Sequence, residues 1–433
     1  MNQEQRFVGL DVHKRVVQVC IMDAKGNILL QLRFKLTRAS LLGFCKGRLW
    51  KSDRVALECS TNTWTVVDII QPYVAEVVVS NPRKTKAIAE AKIKTDKVDA
   101  RVLADLLRAD YLPRVWIPDE HTRELRRLAA RRAALVGDRT VIKNRVHAIL
   151  AQRLIEEPET DLFSKGGLQW LRQLELDAEG REAVDSELKL MEAIDREVDS
   201  LEGVTAKVAY ADDRVRLLMT LPGVDVTVAL VQVAALGDIR RFRDGDHAAS
   251  YLGIVPRVKQ SADRCYHGPI TKEGRAAARS MLVQAAQHVG THPGPLGAFY
   301  RRLCRRKNRN VAVVAVARKL VVIAWHLLTQ NEPYRYAIPA ATEQKLRRLR
   351  IRATDQRRPR GHKPGEGTNK PLVPGMRTHR IKALSDVYRD ESLPVPQAPP
   401  PGERRTIRFS GTSTFLRTIQ KTQLVSKPKE ISA

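Results

Sequence analysis

The chain has 433 residues, with 76 Lys plus Arg against 48 Asp plus Glu and a formal net charge of +28. Its 43% hydrophobic content supports real cores in two or three domains, and its 5% aromatic content argues against an aromatic stacking platform for bases. The basic excess favours a polyanion, because Lys and Arg displace the counterions condensed on phosphates.

Residues 6–36 read as three strands. The first is Arg6 to Asp11, the second runs through Val16, Val17, Val19 and Ile21, and the third covers 28–36 after the turn Asp23-Ala24-Lys25-Gly26-Asn27. A helix over about 38–50, a strand at 54–58, a helix at 62–71 and a strand at 74–80 follow. Pro82 opens a basic helical segment. Thr95 can cap a helix running to Arg108, with Val98, Val102, Leu103, Leu106 and Leu107 as its apolar face. A meander followed by alternating helices and strands predicts an α/β domain with a mixed sheet over residues 1–115.

Residues 116–212 are charged and helical. Val184, Leu188, Met191, Ile194, Val198 and Leu201 form a coiled-coil-like seam, a pattern that an ordinary bundle helix packing within the chain satisfies equally. Pro158 and Gly166-Gly167 break this region into two long portions. Residues 213–335 form a second apolar-rich, mainly helical domain, with turns at Pro222-Gly223 and Pro293-Gly294-Pro295. Its most apolar stretch, Val311 to Leu328, is broken by Arg318, Lys319 and His326 and reads as a buried helix, not a membrane span. From residue 340 to the end, 21 Lys plus Arg stand against 8 Asp plus Glu, with Pro394, Pro396, Pro399, Pro400 and Pro401 among them. That composition predicts a basic tail over 336–433, disordered when free and able to coat nucleic acid. Cys20, Cys45, Cys59, Cys265 and Cys304 form no C-x-x-C pair, which disfavours a zinc ribbon and suits a reducing cytosol. The first six residues lack a signal-peptide core.

Four acids stand out against the basic background. Asp11 and Glu58 end predicted strands, and Asp96 and Asp99 lie three apart at a helix start, on one face. Singly, each has an ordinary reading as a turn residue or a helix cap. Jointly they suit a metal site: magnesium takes oxygen ligands, and two ions ~4 Å apart can activate a nucleophile and stabilise a leaving oxygen at one phosphate. If the two strands are neighbours, both carboxylates emerge at one sheet edge. His13 could approach a metal or substrate but reads as a structural strand histidine. Strand, strand, helix is the arrangement of the RNase H and Holliday-junction resolvase (RuvC-like) fold.

Phe7-Val8-Gly9-Leu10-Asp11-Val12-His13-Lys14, Glu58 and Lys94-Thr95-Asp96-Lys97-Val98-Asp99-Ala100-Arg101 resemble the DEDD motif of the insertion sequence one-hundred-ten transposase family, also called bridge-RNA-guided recombinases. The resemblance covers roughly residues 5–335. It implies a resolvase-like N-terminal domain joined through a helical region to a C-terminal transposase domain, with Mg2+ or Mn2+ on Asp11, Glu58, Asp96 and Asp99. It also implies DNA partners (element ends and target), a structured guide RNA, and a dimer or tetramer in a prokaryotic cytoplasm, at the nucleoid.

Leu218-Met219-Thr220-Leu221-Pro222-Gly223-Val224, followed by Ala229, resembles a helix-hairpin-helix turn. Such a corner frees backbone N–H groups for a phosphate oxygen, which makes Gly223 a candidate DNA contact; the alternative is a plain Pro-Gly loop. Tyr251 to Ser261, then Gly268-Pro269-Ile270-Thr271-Lys272-Glu273-Gly274-Arg275 and Arg279, is similar to the family's pattern of a serine preceding Gly-x-Ile-Thr-Lys-x-Gly. From residue type alone Ser261 is one loop serine among many; the resemblance makes it the nucleophile. Lys272, Arg275 and Arg279 are candidate phosphate clamps or a solvated helix face. The family commonly has glycine after the serine, where this chain has Ala262-Asp263, and often asparagine where Arg275 stands. The expected function is a DNA transposase or recombinase that passes through a phosphoserine link, the acid site meeting Ser261 across protomers. A metal-dependent nuclease using water and a catalytically inactive nucleic-acid-binding protein are the alternatives.

Overall fold

A computed structural model of the protein describes residues 5–88, 95–158, 161–261, 264–356, 376–408 and 410–428. The chain divides into two compact units, residues 1–119 and 120–433.

The first unit runs β1 (Phe7–Val12), β2 (Val16–Met22), β3 (Ile28–Lys35), α1 (Arg38–Arg48), β4 (Arg54–Glu58), α2 (Thr63–Ile70), β5 (Glu76–Ser80), α3 (Pro82–Ile88), α4 (Asp96–Arg108) and β6 (Arg114–Val115). Its sheet has the order β3-β2-β1-β4-β5-β6. β1, β2 and β3 are joined antiparallel, β4 and β5 continue parallel to β1, and β6 closes antiparallel. The mixed sheet expected over the N-terminal residues is therefore present. The start of β1 is pinned by a buried fork: Arg6 donates from Nε and Nη2 to the two carboxylate oxygens of Asp53, at 2.9 and 2.8 Å. This ties the residue before β1 to the residue before β4 and helps set their register, Phe7 opposite Arg54 through Leu10 opposite Leu57.

Alternation divides the strands between two cores. Val8, Leu10, Val17, Val19, Ile21, Val55 and Leu57 pack with Leu41 and Phe44 of α1 and Val66, Val67 and Ile70 of α2. On the other face, Phe7, Ala56 and Val78 meet Leu103 and Leu107 of α4, and Cys20 and Met22 meet its Ala100 and Ala104.

The second unit is helical, with two two-stranded ribbons. It runs α5 (Glu120–Gln152), α6 (Lys165–Gln173), α7 (Ala178–Ala211), α8 (Asp213–Leu218), α9 (Val226–Leu236), α10 (Gly245–Tyr251), β7 (Pro256–Ser261), β8 (Arg264–Ile270), α11 (Ala276–Gln287), α12 (Pro295–Cys304), α13 (Arg309–Gln330), α14 (Pro339–Thr354), β9 (Met376–Ile381), α15 (Leu384–Asp390), α16 (Pro401–Arg408), α17 (Ser413–Ile419) and β10 (Gln423–Pro428). The seam of α7 is used inside the chain: Val184, Leu188 and Met191 pack with Ile142, Val146 and Leu150 of α5. α13 is long and apolar enough to cross a membrane by length and composition, and its Val313, Val316, Leu320 and Val321 lie in the unit's core.

Two expectations need correction. Boundaries at 212/213 and 335/336 do not separate compact units, because one core takes in Leu125 of α5, Ala206 and Ala209 of α7, α9, α11 and α13, and also Leu346, Leu349 and Tyr388. The predicted disordered tail contributes to that core through α14, α15, Leu393 and Ile419 of α17. Leu346 and Leu349 are buried, and the fully buried Tyr388 donates its hydroxyl to the carbonyl of Tyr334 at 2.6 Å. Composition hid this because the apolar residues stand singly among arginines and prolines. Yet Pro339, Thr342, Leu346 and Leu349 are the buried residues of α14, at steps of three and four. Residues 357–375, 409 and 429–433 of that segment lie outside the described residues.

Candidate functional site

Asp11 follows Phe7 and Gly9 on the α4 face of β1, and Glu58 follows Ala56 on the same face of β4. Since Leu10 lies opposite Leu57, Asp11 and Glu58 are the next residues along two adjacent parallel strands. Both acids therefore leave one sheet edge toward one side.

α4 completes the set. Its buried stripe is Ala100, Leu103, Ala104 and Leu107. Asp96 and Asp99 lie four residues before Ala100 and Leu103, so they continue that stripe past the end of the sheet. The Thr95 side chain accepts from the Val98 N–H and starts the helix there, and acids in a first turn face the positive end of the helix dipole. α4 lies so close to β1 that a Cβ on Gly9 would fall 2.0 Å from the Ala100 carbonyl oxygen and 2.6 Å from the Ala104 nitrogen. No side chain fits at residue 9, and the close approach brings Asp96 to Asp11.

The meeting point is a histidine. His13 Nε2 lies 3.0 Å from Asp11 Oδ2 and 3.3 Å from Asp96 Oδ1. One ligand atom from each of Asp11, His13 and Asp96 lies within 4.8 Å of the other two, the one such group among the described residues. Glu58 and Asp99 stand outside that group, Glu58 placed by strand register and Asp99 close enough for its charge to be felt at Asp11. Burial raises the Asp11 carboxyl above its usual range; His13 pulls it down, and the charges of Asp96 and Asp99 push it up again. A hard cation would relieve the crowding of negative charge at Asp11, so the oxygen-rich donor set fits a divalent metal. From sequence His13 reads as a structural strand histidine; the structure sets it between Asp11 and Asp96. Its spacing two residues beyond Asp11 at a strand end was the available signal.

Ser261 sits on different ground. It ends β7, at the tip of an exposed antiparallel hairpin with β8. Among the described residues no side-chain partner hydrogen-bonds to its hydroxyl. Its cross-strand partner is Arg264, so the two side chains share one face of the ribbon as neighbours. Arg257, Lys259 and Arg264 are exposed on the same hairpin. The pairing of Ser261 with Arg264 has no sequence signal, because register is invisible until the hairpin is seen. Ala262 and Asp263, where the chain departs from the family pattern, lie outside the described residues.

The Ile-Thr-Lys-x-Gly segment forms the hairpin's base. Thr271 N–H donates to the Val255 carbonyl at 2.9 Å, and Lys272 N–H to that of Gly253 at 3.0 Å. Lys272 has φ +57°, a left-handed conformation uncommon outside glycine, and its side chain is exposed. Arg275 precedes α11 and is exposed. Arg279 turns inward, donating from Nη1 to the carbonyls of Leu252 (3.2 Å) and Glu273 (2.5 Å). Gly223 lies exposed between α8 and α9 with φ +73°, and a Cβ there would meet the Ala285 carbonyl oxygen at 2.2 Å. Glycine is thus needed at 223 for packing on α11. The N-terminus of α9 is already capped by Asp225, whose Oδ1 accepts from Val228 N–H at 2.8 Å.

Comparison with known proteins follows this division. Residues 8–154 match a transposase family model of the DEDD, IS110 type, and residues 215–301 match one described as the transposase IS116/IS110/IS902 family. The chain is 25% identical over 352 residues to the transposase for insertion sequence element IS1111A of Coxiella burnetii, covering 76% of this chain and 91% of that protein. It is 23% identical over 337 residues to the transposase for IS1328 of Yersinia enterocolitica, covering 75% and 97%. It is also 29% identical over 145 residues to the pilin gene-inverting protein of Moraxella lacunata, covering 33% and 44%. With both models matched in one chain, and together spanning more than half of it, the chain belongs to the IS110 family of transposases and is an enzyme of DNA recombination.

Proposed function

We propose that the protein cuts and rejoins the DNA of an insertion sequence through Ser261, with divalent magnesium or manganese held by Asp11, Glu58, Asp96 and Asp99. The observation that carries the reading is the convergence of Asp11 and Asp96, distant in sequence, with His13 between them. The sheet order, with β2 and β3 antiparallel to β1 and β4 and β5 parallel to it, supports a RuvC-like description of the first unit. In this reaction the Ser261 Oγ attacks phosphorus and loses its proton. The bond from phosphorus to the leaving strand oxygen breaks, and that oxygen takes a proton. The phosphoserine link retains the energy of a phosphodiester, so attack by a strand hydroxyl reverses the step and frees the serine. Bound metal would supply charge stabilisation at the phosphate oxygens. The relative named for pilin gene inversion supports rejoining, since an inversion leaves no free ends.

Lys272, Arg275 and Arg264 are the cations offered to the substrate phosphates, with Arg279 shaping the turn behind them and Gly223 presenting backbone beside α9. Because the acids and Ser261 belong to different units, a dimer or tetramer in which one protomer's acids serve another's serine is the assembly this chemistry suits. The charge of +28 suits DNA together with a structured guide RNA. Similarity to bacterial transposases supports a prokaryotic nucleoid in the cytoplasm as the setting of the reaction. The test is a covalent-adduct assay with element DNA, co-expressed element RNA and magnesium. Ser261→Ala is expected to abolish the adduct and Asp11→Asn to abolish strand cleavage; an adduct that persists in Ser261→Ala removes Ser261 as nucleophile.

One observation favours a second reading, a nuclease that activates water. The acid cluster is assembled within the first unit alone, from Asp11, His13 and Asp96. Free ends without an adduct, at wild-type rates in Ser261→Ala, would establish it.

A further inference from the structure

The turn between α8 and α9 has an unexpected partner. Lys345, from α14, donates its three ammonium hydrogens to the carbonyl oxygens of Met219 (2.5 Å), Leu221 (2.9 Å) and Val224 (2.9 Å). Burial draws this ammonium down to about 8, and the charge of Asp225 works in the opposite direction. Lys345 lies C-terminal to the segment matched to the family, residues 215–301.

Three carbonyl oxygens of one short turn do not converge unaided, because their negative ends repel. The donor set they make, several backbone carbonyls replacing a hydration shell, is one that monovalent cations occupy. The ammonium matches it in charge and in number of donors. We propose that the 219–224 turn is a carbonyl cage for a monovalent cation, and that in this chain the cation is the Lys345 ammonium, lent by the C-terminal segment. The consequence for the proposed function is that α14 sets the shape of the turn that carries Gly223. A covalently tethered cation keeps that shape independent of salt. The cage does not depend on the Ser261 reading, and either can fail without the other.

Lys345→Ala empties the cage, whereas Lys345→Met fills it with an uncharged chain. The probes are potassium and ammonium chloride, against choline chloride at equal ionic strength, with the melting temperature of the full chain as readout. Wild type is expected to be indifferent to the choice of salt. Lys345→Ala should lose roughly 5–10 °C in choline, as when a buried charge partner is removed, and recover at least half of it in potassium or ammonium. Lys345→Met should lose a similar amount and recover none. A Lys345→Ala loss that no small cation repairs, or a Lys345→Met as stable as wild type, overturns the cage. Wild type supplies an independent check that needs no variant. Under native reductive methylation Lys345 should stay unmodified while the exposed Lys259 is methylated. Modification of both at one rate overturns the proposal as well.

Discussion

Asp11 and Ser261 rest on very different supports. Asp11 lies near the end of a strand covered on both faces, against a helix packed so tightly that residue 9 can carry no side chain. Ser261 ends a ribbon whose residues from Arg257 onward are exposed. Metal ligands must be held in position before substrate arrives, since errors of an ångström already cost rate. A nucleophile that becomes joined to a DNA strand needs reach and access instead. On the proposed function, the contrast teaches that the first unit would fix geometry and the hairpin would present a group. Mutations at the two should then fail in different ways.

The largest expected effect separates chemistry from support. Asp11→Asn and Ser261→Ala should each lower recombination by about 10³-fold or more. Ser261→Ala should keep the metal-induced rise in melting temperature of the first unit, and Asp11→Asn should lose it. Equal loss of metal binding in both would dissolve the distinction between a holding site and a presenting one.

Gly9→Ala tests the support itself, with no acid removed. The added methyl meets backbone on α4, which cannot swing aside as a side chain could. Pushing the helix away is expected to cost about 1–3 kcal/mol and to spread Asp96 from Asp11. Calorimetry should show the first unit melting earlier with weakened metal binding. A variant with wild-type metal affinity would show that the acids do not depend on the contact between α4 and β1.

The hairpin should respond more gently. Arg264→Ala removes the guanidinium beside Ser261 and leaves the backbone pairing in place. Adduct formation is expected to fall by roughly 10- to 100-fold, with Arg264→Lys recovering only part, because an ammonium lacks the planar fork that matches phosphate. An unchanged adduct rate would leave Arg264 with no part in presenting the serine.

How much of this was legible follows the same divide. Strand ends and helix starts are written in local patterns, so Asp11, Glu58, Asp96 and Asp99 could be placed from alternation and a Thr95 cap. The meeting of Asp11 with Asp96 depends on strand order and on Gly9, both long-range, and only the structure brings His13 between them. Ser261 had no local signature at all and rested on resemblance. Arg264 needed a pairing register, and Arg279 looked like an outward clamp until two backbone carbonyls were found to hold it. The folded C-terminal segment was misread because charge and proline dominate its composition, while four residues at helical steps, Pro339 to Leu349, were enough to bury α14.

The smallest expected effect turns on the cost of the acid site to its own unit. Burial and the neighbouring acids raise the Asp11 carboxyl above the value it has in the unfolded chain. The folded state therefore holds that proton more tightly. The stabilisation this gives is fully present below the unfolded value, near 4, and is lost as pH rises through the folded one. At neutral pH and without metal, an ionised Asp11 is a liability. Asp11→Asn should then raise the melting temperature of the first unit in chelator by a small amount, on the order of 1 kcal/mol or less, since part of the site faces solvent. The gain should vanish near pH 3, where the carboxyl is protonated in both states. Excess divalent metal should reverse the order, stabilising wild type above the variant. A variant less stable than wild type in chelator at neutral pH would mean that the His13 contact outweighs the burial of Asp11. The rigid end of the molecule would then be an ion pair in its own right, not a site strained in readiness for a cation.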